Sequence, residues 1–325
     1  MAIGSLVASV ALLAAGTAAN GPIFAVAIVI IQVAGTLVLY DAAFTALVQV
    51  TGTEARKRIT HLTLIAGFAS TLFWPLTSWL DATLGWRTVF VVFAVGNLTI
   101  CVPLHVLLWR WGRILPQPAD GPLPEHAPAR SPVLAMWLTT IGFALSGFAL
   151  AAILAQMVPL LSAVGLGAGA LLVSALFGPA QVLVRFVNLL LGAARHPIGA
   201  ALLALGLVPI AIAALAVGAP AASAAVLFAA MLGFGSGLKS IVQGSLPLAL
   251  FGRGGYGARL GVMASVRQVL ASVAPFSLAF LIEILGVRPA LWIIAAVGFL
   301  GLLCLLQVAG LVGNTPSADF EVNPP

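Results

Sequence analysis

The sequence predicts an all-α polytopic membrane protein with ten transmembrane helices. Apolar residues make up 62% of its 325 residues and charged residues only 7%, whereas soluble domains carry about 25% charged residues. The apolar residues form continuous runs, and about 20 consecutive apolar residues span a bilayer as a helix. Strands of a membrane barrel alternate between apolar and polar residues over about ten positions, so the continuous runs favour helices.

Ten apolar runs follow one another along the chain, and each predicts one transmembrane helix. Their approximate residues are 2–19, 22–49, 62–80, 88–108, 133–157, 167–192, 198–218, 222–250, 260–284 and 290–312. The first run has no basic segment before it, so we interpret it as a spanning helix and not as a cleaved signal peptide. No spacing of cysteine and histidine indicates a metal site, and we predict neither a metal nor a cofactor.

One long polar stretch, residues 110–132, separates the first four runs from the last six. It contains six prolines and charges of both signs, a composition that cannot bury a core. We therefore predict four helices of a first bundle at 1–109, a cytoplasmic linker at 110–132, a six-helix second bundle at 133–313 and a cytoplasmic tail at 314–325.

The basic residues predict the orientation in the membrane, because lysine and arginine concentrate in cytoplasmic loops. Only Arg87 and Arg288 lie in loops on one side. Nine basic residues lie in loops on the other side: Arg56, Lys57, Arg58, Arg110, Arg113, Arg130, Arg195, Arg253 and Arg259. That side is predicted to be cytoplasmic, and both termini lie there if the chain has ten helices. We expect an inner-membrane protein in contact with lipid. We do not predict a nucleic-acid partner, because the sequence has no patch of basic and aromatic residues.

A short phrase occurs twice in the chain, 201 residues apart. The phrase is Leu-Gly-x-Arg, at residues 84–87 and 285–288, and an arginine precedes each glycine by 27 residues. Two similar bundles joined by a linker are the architecture of many secondary transporters. We predict architectural roles for the repeated residues, which are Arg58, Gly85, Arg87, Arg259, Gly286 and Arg288.

Several segments resemble those of the major facilitator superfamily. They are "LYDAAFTAL", "EARKRITHLT", "GFASTLFWPLTSWLDATLGWRTVF", "GPAQVLVRF" and "QGSLPLALFGRGGYGARLG". The last two are similar to a bacterial branch near the monocarboxylate and oxalate–formate carriers. The resemblance covers essentially the whole chain, and it implies a two-bundle permease fold that has twelve helices in the family.

The repeat and the resemblance together predict that two family helices are missing from this sequence. A shift of 201 residues places the start of the first bundle about seventy residues before Met1. The family signature G-x-x-x-D-R-x-G-R-R, which lies between the second and third helices, would also fall before Met1. We therefore expect a mis-assigned start or a fragment.

Four charged residues inside the runs are the main candidates for a functional site, because charge within a membrane is costly. Lys239 lies about 18 Å from the cytoplasmic end of its helix, so it is a candidate for substrate or coupling-ion contact, or for a buried structural pair. Arg185 and Arg267 lie nearer that end, where they could contact substrate or extend to the interface. Asp41 could take up a proton, pair with a basic residue or join two helices.

Gln156 and Gln243 are two further candidates, because both lie where a helix could face a central cavity. The alternative for each is a hydrogen bond between helices, a common contact in membrane bundles.

The sign of the buried charge indicates the substrate, since three cations face one acid. A carboxylate would neutralise the excess and suits the paired donors of arginine. We therefore predict an alternating-access transporter of a small solute, an organic anion, with a proton as the candidate coupling ion. Its helices are expected to be broken at Pro75, Pro179, Pro247 and Pro275.

Two alternatives to anion transport stay open at this point. One is efflux of apolar or cationic compounds, and the other is a truncated, transport-incompetent membrane protein. No catalytic constellation is seen in the sequence, so an enzyme is not predicted.

Overall fold

The computed structural model describes residues 1–114, 131–191 and 197–313. Most of the predicted linker (115–130), the predicted tail (314–325) and the loop with Arg195 lie outside the described residues. Within the described ranges every regular element is a helix, as predicted. Residues 1–114 are called the first half below, and residues 131–313 the second half.

The first half contains six α-helices. They are α1 (Ala2–Gly16), α2 (Gly21–Thr36), α3 (Tyr40–Thr51), α4 (Ala55–Leu84), α5 (Trp86–Gly96) and α6 (Val102–Ile114). A short 3-10 turn, Gly52–Glu54, joins α3 to α4, and a π-helical segment, Asn97–Cys101, joins α5 to α6. Helix α1 packs against α2, α5 and α6, and α4 packs against α3 and α5.

The described residues of the second half form eight α-helices. They are α7 (Pro132–Ala155), α8 (Met157–Leu161), α9 (Gly169–Ala175), α10 (Phe177–Leu191), α11 (Pro197–Gly218), α12 (Ala222–Phe251), α13 (Tyr256–Leu285) and α14 (Val287–Gly313). Helices α7, α11, α13 and α14 surround one large apolar core, to which α12 also contributes. Small residues let these helices approach closely; Gly142 of α7 and Gly301 of α14, for example, face each other's carbonyl oxygen.

Each of the ten predicted runs coincides with a helix or with two consecutive helices. Eight of these stretches, within the part of the chain that the structure describes, are long and apolar enough to cross a membrane. Helix α1 is apolar but shorter, at 15 residues. The Asn20 side chain caps the next helix by accepting from the Ile23 amide. Helix α4 is long enough, at 30 residues, but it is also not one of the eight.

The prediction that helices break at four prolines was mostly wrong. Helices α4, α12 and α13 run without interruption past Pro75, Pro247 and Pro275, whereas Pro179 lies in the first turn of α10, just after a break at Leu176. Further breaks occur at residues 37–39, between α2 and α3, and at Gln156. Neighbouring helices can satisfy the carbonyl that a membrane proline leaves free, so a proline does not have to end a helix.

An apolar cluster joins the two halves at one end of the molecule. Its members are at most 3% exposed, and they are Phe44, Val48, Ala55, Ile59, Tyr256 and Leu260. We call these six residues the closing cluster. Two glycines let the halves approach here: a Cβ added to Gly244 would lie 2.5 Å from Cδ2 of Phe44, and one added to Gly257 would lie 2.7 Å from Cγ2 of Thr45.

This closure predicts an engineered disulfide between the halves. A Cβ placed on Gly257 lies 3.8 Å from Cβ of Thr45, which is close to the mean separation of about 3.8 Å in disulfides. We expect the pair Thr45→Cys and Gly257→Cys, in a chain with Cys101 and Cys304 replaced by alanine, to form a disulfide under mild oxidation.

The cross-link is measured as a mobility shift in non-reducing gels after membranes are exposed to a mild oxidant. Thr45→Cys paired with Gly261→Cys is the control, because nothing lies within 4 Å of a Cβ at Gly261. Equal cross-linking of both pairs would contradict the closed arrangement.

Candidate functional site

A polar group that links the two halves lies deeper than the closing cluster. Asp41 stands in the first turn of α3, about 15 Å along the helix from its end at Thr51. Its carboxylate accepts from Nη2 of Arg267 on α13 at 2.7 Å and from Nε2 of Gln243 on α12 at 3.2 Å. The Asp41 and Arg267 side chains are only 17% and 14% exposed, so this ion pair is largely withdrawn from solvent.

Lys239 lies beside this ion pair, one helical turn before Gln243 on α12. It is 4% exposed, and it has no hydrogen-bond or ion-pair partner among the residues that the structure describes. A Cβ added to Gly147 of α7 would lie 3.1 Å from the Lys239 Nζ and 3.2 Å from Cγ of Arg267. The two cationic side chains therefore meet at the same glycine.

Arg185 of α10 forms a second buried cationic group against the same helix, α12. It is 4% exposed, and its Nε donates to Oγ of Ser240 at 3.2 Å and, more weakly, to the Gly237 carbonyl at 3.4 Å. The guanidinium lies against Gly67 of α4, which has no side chain to obstruct it. Arg185 thus reaches from the second half to the first.

Glycines of α12 make this arrangement of helices possible. A Cβ on Gly233 or Gly237 would lie within 2.8 Å of a carbonyl oxygen of α10, and Gly235 packs in the same way against α11. Close packing places Gln181 of α10 within 2.6 Å of the Ser236 hydroxyl, which accepts a hydrogen bond from it. The glycine-rich sequence before Lys239 is therefore a packing surface.

The site contains more positive than negative charge. Within the described part of the helices, three buried or half-buried cations, Lys239, Arg185 and Arg267, stand against the single carboxylate of Asp41. Like charges in a medium of low dielectric repel strongly unless an anion lies between them. An anionic group near Lys239 and Arg267 would balance this excess of positive charge.

Gln156 is not brought to this group. It caps the C-terminus of α7, and its backbone carbonyl accepts from the Leu160 amide at 2.7 Å. Of the six candidate residues, the structure brings together Asp41, Gln243, Arg267 and Lys239. Arg185 of α10 packs against a neighbouring face of α12.

The glycines of the two Leu-Gly-x-Arg phrases adopt similar backbone conformations. Gly85 has φ 78° and ψ 155°, and Gly286 has φ 84° and ψ 171°, at the ends of α4 and α13. A positive φ of this size favours glycine, which explains why both phrases carry one. The arginines after them differ: Arg87 lies 4.4 Å over the ring of Trp86, whereas Arg288 donates to the Ala219 carbonyl at 2.7 Å.

The other repeated arginines also make different local contacts. Arg58 forms an exposed ion pair with Glu54 at 2.8 Å. Arg259 donates to the carbonyls of Phe251, Gly252 and Gly254, which follow or end α12. Both contacts hold a turn at the end of the molecule near the closing cluster.

Sequence reasoning missed two features of the interior. One is the role of Gly147, because a single glycine between Ser146 and Phe148 in an apolar helix does not indicate a functional position. The other is a polar cluster in the first half, where the Ser5 hydroxyl lies 2.7 Å from Nδ1 of His105 and the Ser5 carbonyl accepts from Asn97 at 3.1 Å. Asn97 begins the π-helical segment, and π-bulges are frequent at functional sites.

No protein-family model matches the sequence, and no curated protein sequence is significantly similar to it. Solved structures do match the fold. The human organic anion transporter MFSD10 (TETRAN) superposes with a TM-score of 0.71 at 13% identity, over 94% of this chain and 76% of that one.

Two structures of the transporter FucP match over 94% of this chain and 82% of theirs. The Major Facilitator Superfamily transporter FucP in its outward conformation gives a TM-score of 0.66 at 14% identity. A variant of the E. coli fucose:proton symporter FucP gives 0.65 at 15% identity. The chain is therefore a multi-pass membrane protein with the fold of major facilitator superfamily transporters.

Proposed function

We propose that the protein is a secondary active transporter that moves a small organic anion by alternating access. The observation that carries the proposal is the buried Lys239 ammonium, which has no partner among the described residues and lies beside Arg267. A carboxylate would accept hydrogen bonds from both cations, and such charge-assisted bonds are about twice as strong as neutral ones. MFSD10, which shares the fold at low identity, is an organic anion transporter, and this agrees with the charge argument.

The two halves supply the moving parts in this proposal. Residues 1–109 would form one bundle and residues 133–313 the other, with the site between them. The Asp41–Arg267 pair and the closing cluster hold the halves together at the end that we propose to be cytoplasmic. The opposite conformation requires both contacts to separate, so that the site opens to the cytoplasmic side of the inner membrane.

Proton coupling is a finer part of the same proposal. FucP is a proton symporter, and Asp41 is the carboxylate in this site that a proton could neutralise. Protonation of Asp41 would remove its attraction for Arg267 and so weaken the link between the halves. The resemblance to monocarboxylate and oxalate–formate carriers stays a prediction that agrees with an anionic substrate.

Uptake into proteoliposomes tests the proposed function. We expect the purified chain to accumulate radiolabelled succinate or lactate when an inward proton gradient is imposed, and not the cation tetraphenylphosphonium. Protein-free liposomes give the background. Uptake of the cation without uptake of either carboxylate would contradict the proposal and favour efflux of cationic compounds. Uptake of neither would contradict transport by this chain alone and favour the alternative of a transport-incompetent protein.

A further inference from the structure

A glycine of α7 lies against the two adjacent cations of the candidate site. Gly147 is buried where α7 packs against α12 and α13. An added Cβ would lie 3.1 Å from Nζ of Lys239, 3.2 Å from Cγ of Arg267 and 3.7 Å from its Cδ. Favourable contacts between carbon atoms begin at about 3.5 Å, so a methyl group here would press on both side chains at once.

Arg267 keeps donors for a second partner. Its Nη2 donates to Oδ2 of Asp41, and its other guanidinium nitrogens have no partner among the described residues. The guanidinium has five N–H donors and the ammonium of Lys239 has three. One carboxylate can therefore accept from Lys239 and from Arg267 together, provided that the two side chains lie side by side.

We propose that Gly147 is a positioning residue of the anion site. Its missing side chain lets the Lys239 ammonium approach the Arg267 side chain, so that both cations bind the same carboxylate of the substrate. This inference rests on the proposed function, because it names how the anion of that function is bound. Gly147 itself positions the two cations and supplies no donor.

The substitution Gly147→Ala tests this role in equilibrium binding of radiolabelled succinate to the purified protein. The methyl group would move the Lys239 ammonium by a few tenths of an ångström and weaken its bond to the shared carboxylate, and we expect the dissociation constant to rise about tenfold, equivalent to about 1.4 kcal/mol. Gly261→Ala is the matched control, because it makes the same change at a membrane glycine with nothing within 4 Å of its added Cβ. If Gly147→Ala binds succinate as tightly as the control does, the inference is overturned.

A second measurement separates a contact with Lys239 from general damage to helix packing. The chain has only two lysines, Lys57 and Lys239, so Lys57→Arg leaves one signal from [¹³Cε]-labelled lysine. In the ligand-free protein we expect Gly147→Ala to move this Lys239 resonance, while Gly261→Ala leaves it in place. An unmoved resonance in Gly147→Ala would overturn the inference whatever the binding data show.

A stability comparison covers the case in which Gly147→Ala folds poorly. If the methyl group conflicts with the Lys239 side chain, the additional change Lys239→Ala should restore most of the lost thermal stability. A loss that persists unchanged in the double variant would mean that Gly147 acts on helix packing alone, and the inference would fall.

The two proposals fail in different ways. If wild-type protein binds neither succinate nor lactate, the proposed function fails and the role of Gly147 fails with it. If wild-type protein binds succinate and Gly147→Ala binds it equally well, only the role of Gly147 fails.

Discussion

Replacement of Lys239 by glutamine should nearly abolish carboxylate transport without unfolding the protein. A hydrogen bond to a charged group contributes about 1.5–3 kcal/mol, so we expect the affinity for succinate to fall by about 10- to 100-fold. The fold should tolerate the change, because a buried charge without a partner destabilises the native state. The measurement is initial uptake into proteoliposomes together with the thermal midpoint of the purified protein.

The only other lysine of the chain provides the control for this prediction. Lys57 is exposed near the start of α4, so Lys57→Gln makes the same chemical change outside the site. We expect its uptake to equal that of the wild type. Wild-type uptake by Lys239→Gln would show that the buried ammonium takes no part in transport, and the charge argument would be wrong.

Separation of Asp41 from Arg267 should loosen the link between the halves. Asp41→Asn leaves Arg267 beside Lys239 with no carboxylate among their described neighbours, and Arg267→Gln leaves Asp41 without its cation. Breaking a fully buried pair costs about 3–5 kcal/mol. Because these side chains keep some exposure, we expect about 2 kcal/mol for each single change. The double change Asp41→Asn with Arg267→Gln should recover about 1–2 kcal/mol of the sum.

Two readouts check the prediction for the ion pair. Chemical unfolding of the wild type, both single variants and the double variant gives the coupling free energy. The yield of the Thr45–Gly257 cysteine cross-link reports closure, and we expect it to fall in both single variants. Additive destabilisation with unchanged cross-linking would mean that the ion pair does not hold the closed arrangement.

Much of the fold could be predicted from the sequence because membrane helices depend on a simple physical rule. A continuous apolar run must satisfy its backbone within itself, so each of the ten runs is helical in the structure. Composition could not locate the breaks, because they depend on neighbours: the chain is interrupted near Leu37 and Gln156 and continues past Pro247 and Pro275.

The site was only partly predictable for a related reason. The cost of a buried charge singled out Lys239, Arg267 and Asp41 one by one, but nothing in the sequence pairs Asp41 with a residue 226 positions away. That pairing depends on how the halves pack, and so does the role of glycines such as Gly147 and Gly67. The sequence shows where a glycine is, but it does not show which neighbouring side chain occupies the space that the glycine leaves free.

Carboxylate binding at the Lys239 ammonium is tested most directly by the Lys239 resonance in [¹³Cε]lysine-labelled Lys57→Arg protein. Succinate is titrated against it, and succinamide, which has a similar shape without the charge, is the comparison. A saturable shift with succinate and none with succinamide is the result that we predict. No shift with succinate, or the same shift with both compounds, would contradict the anion site.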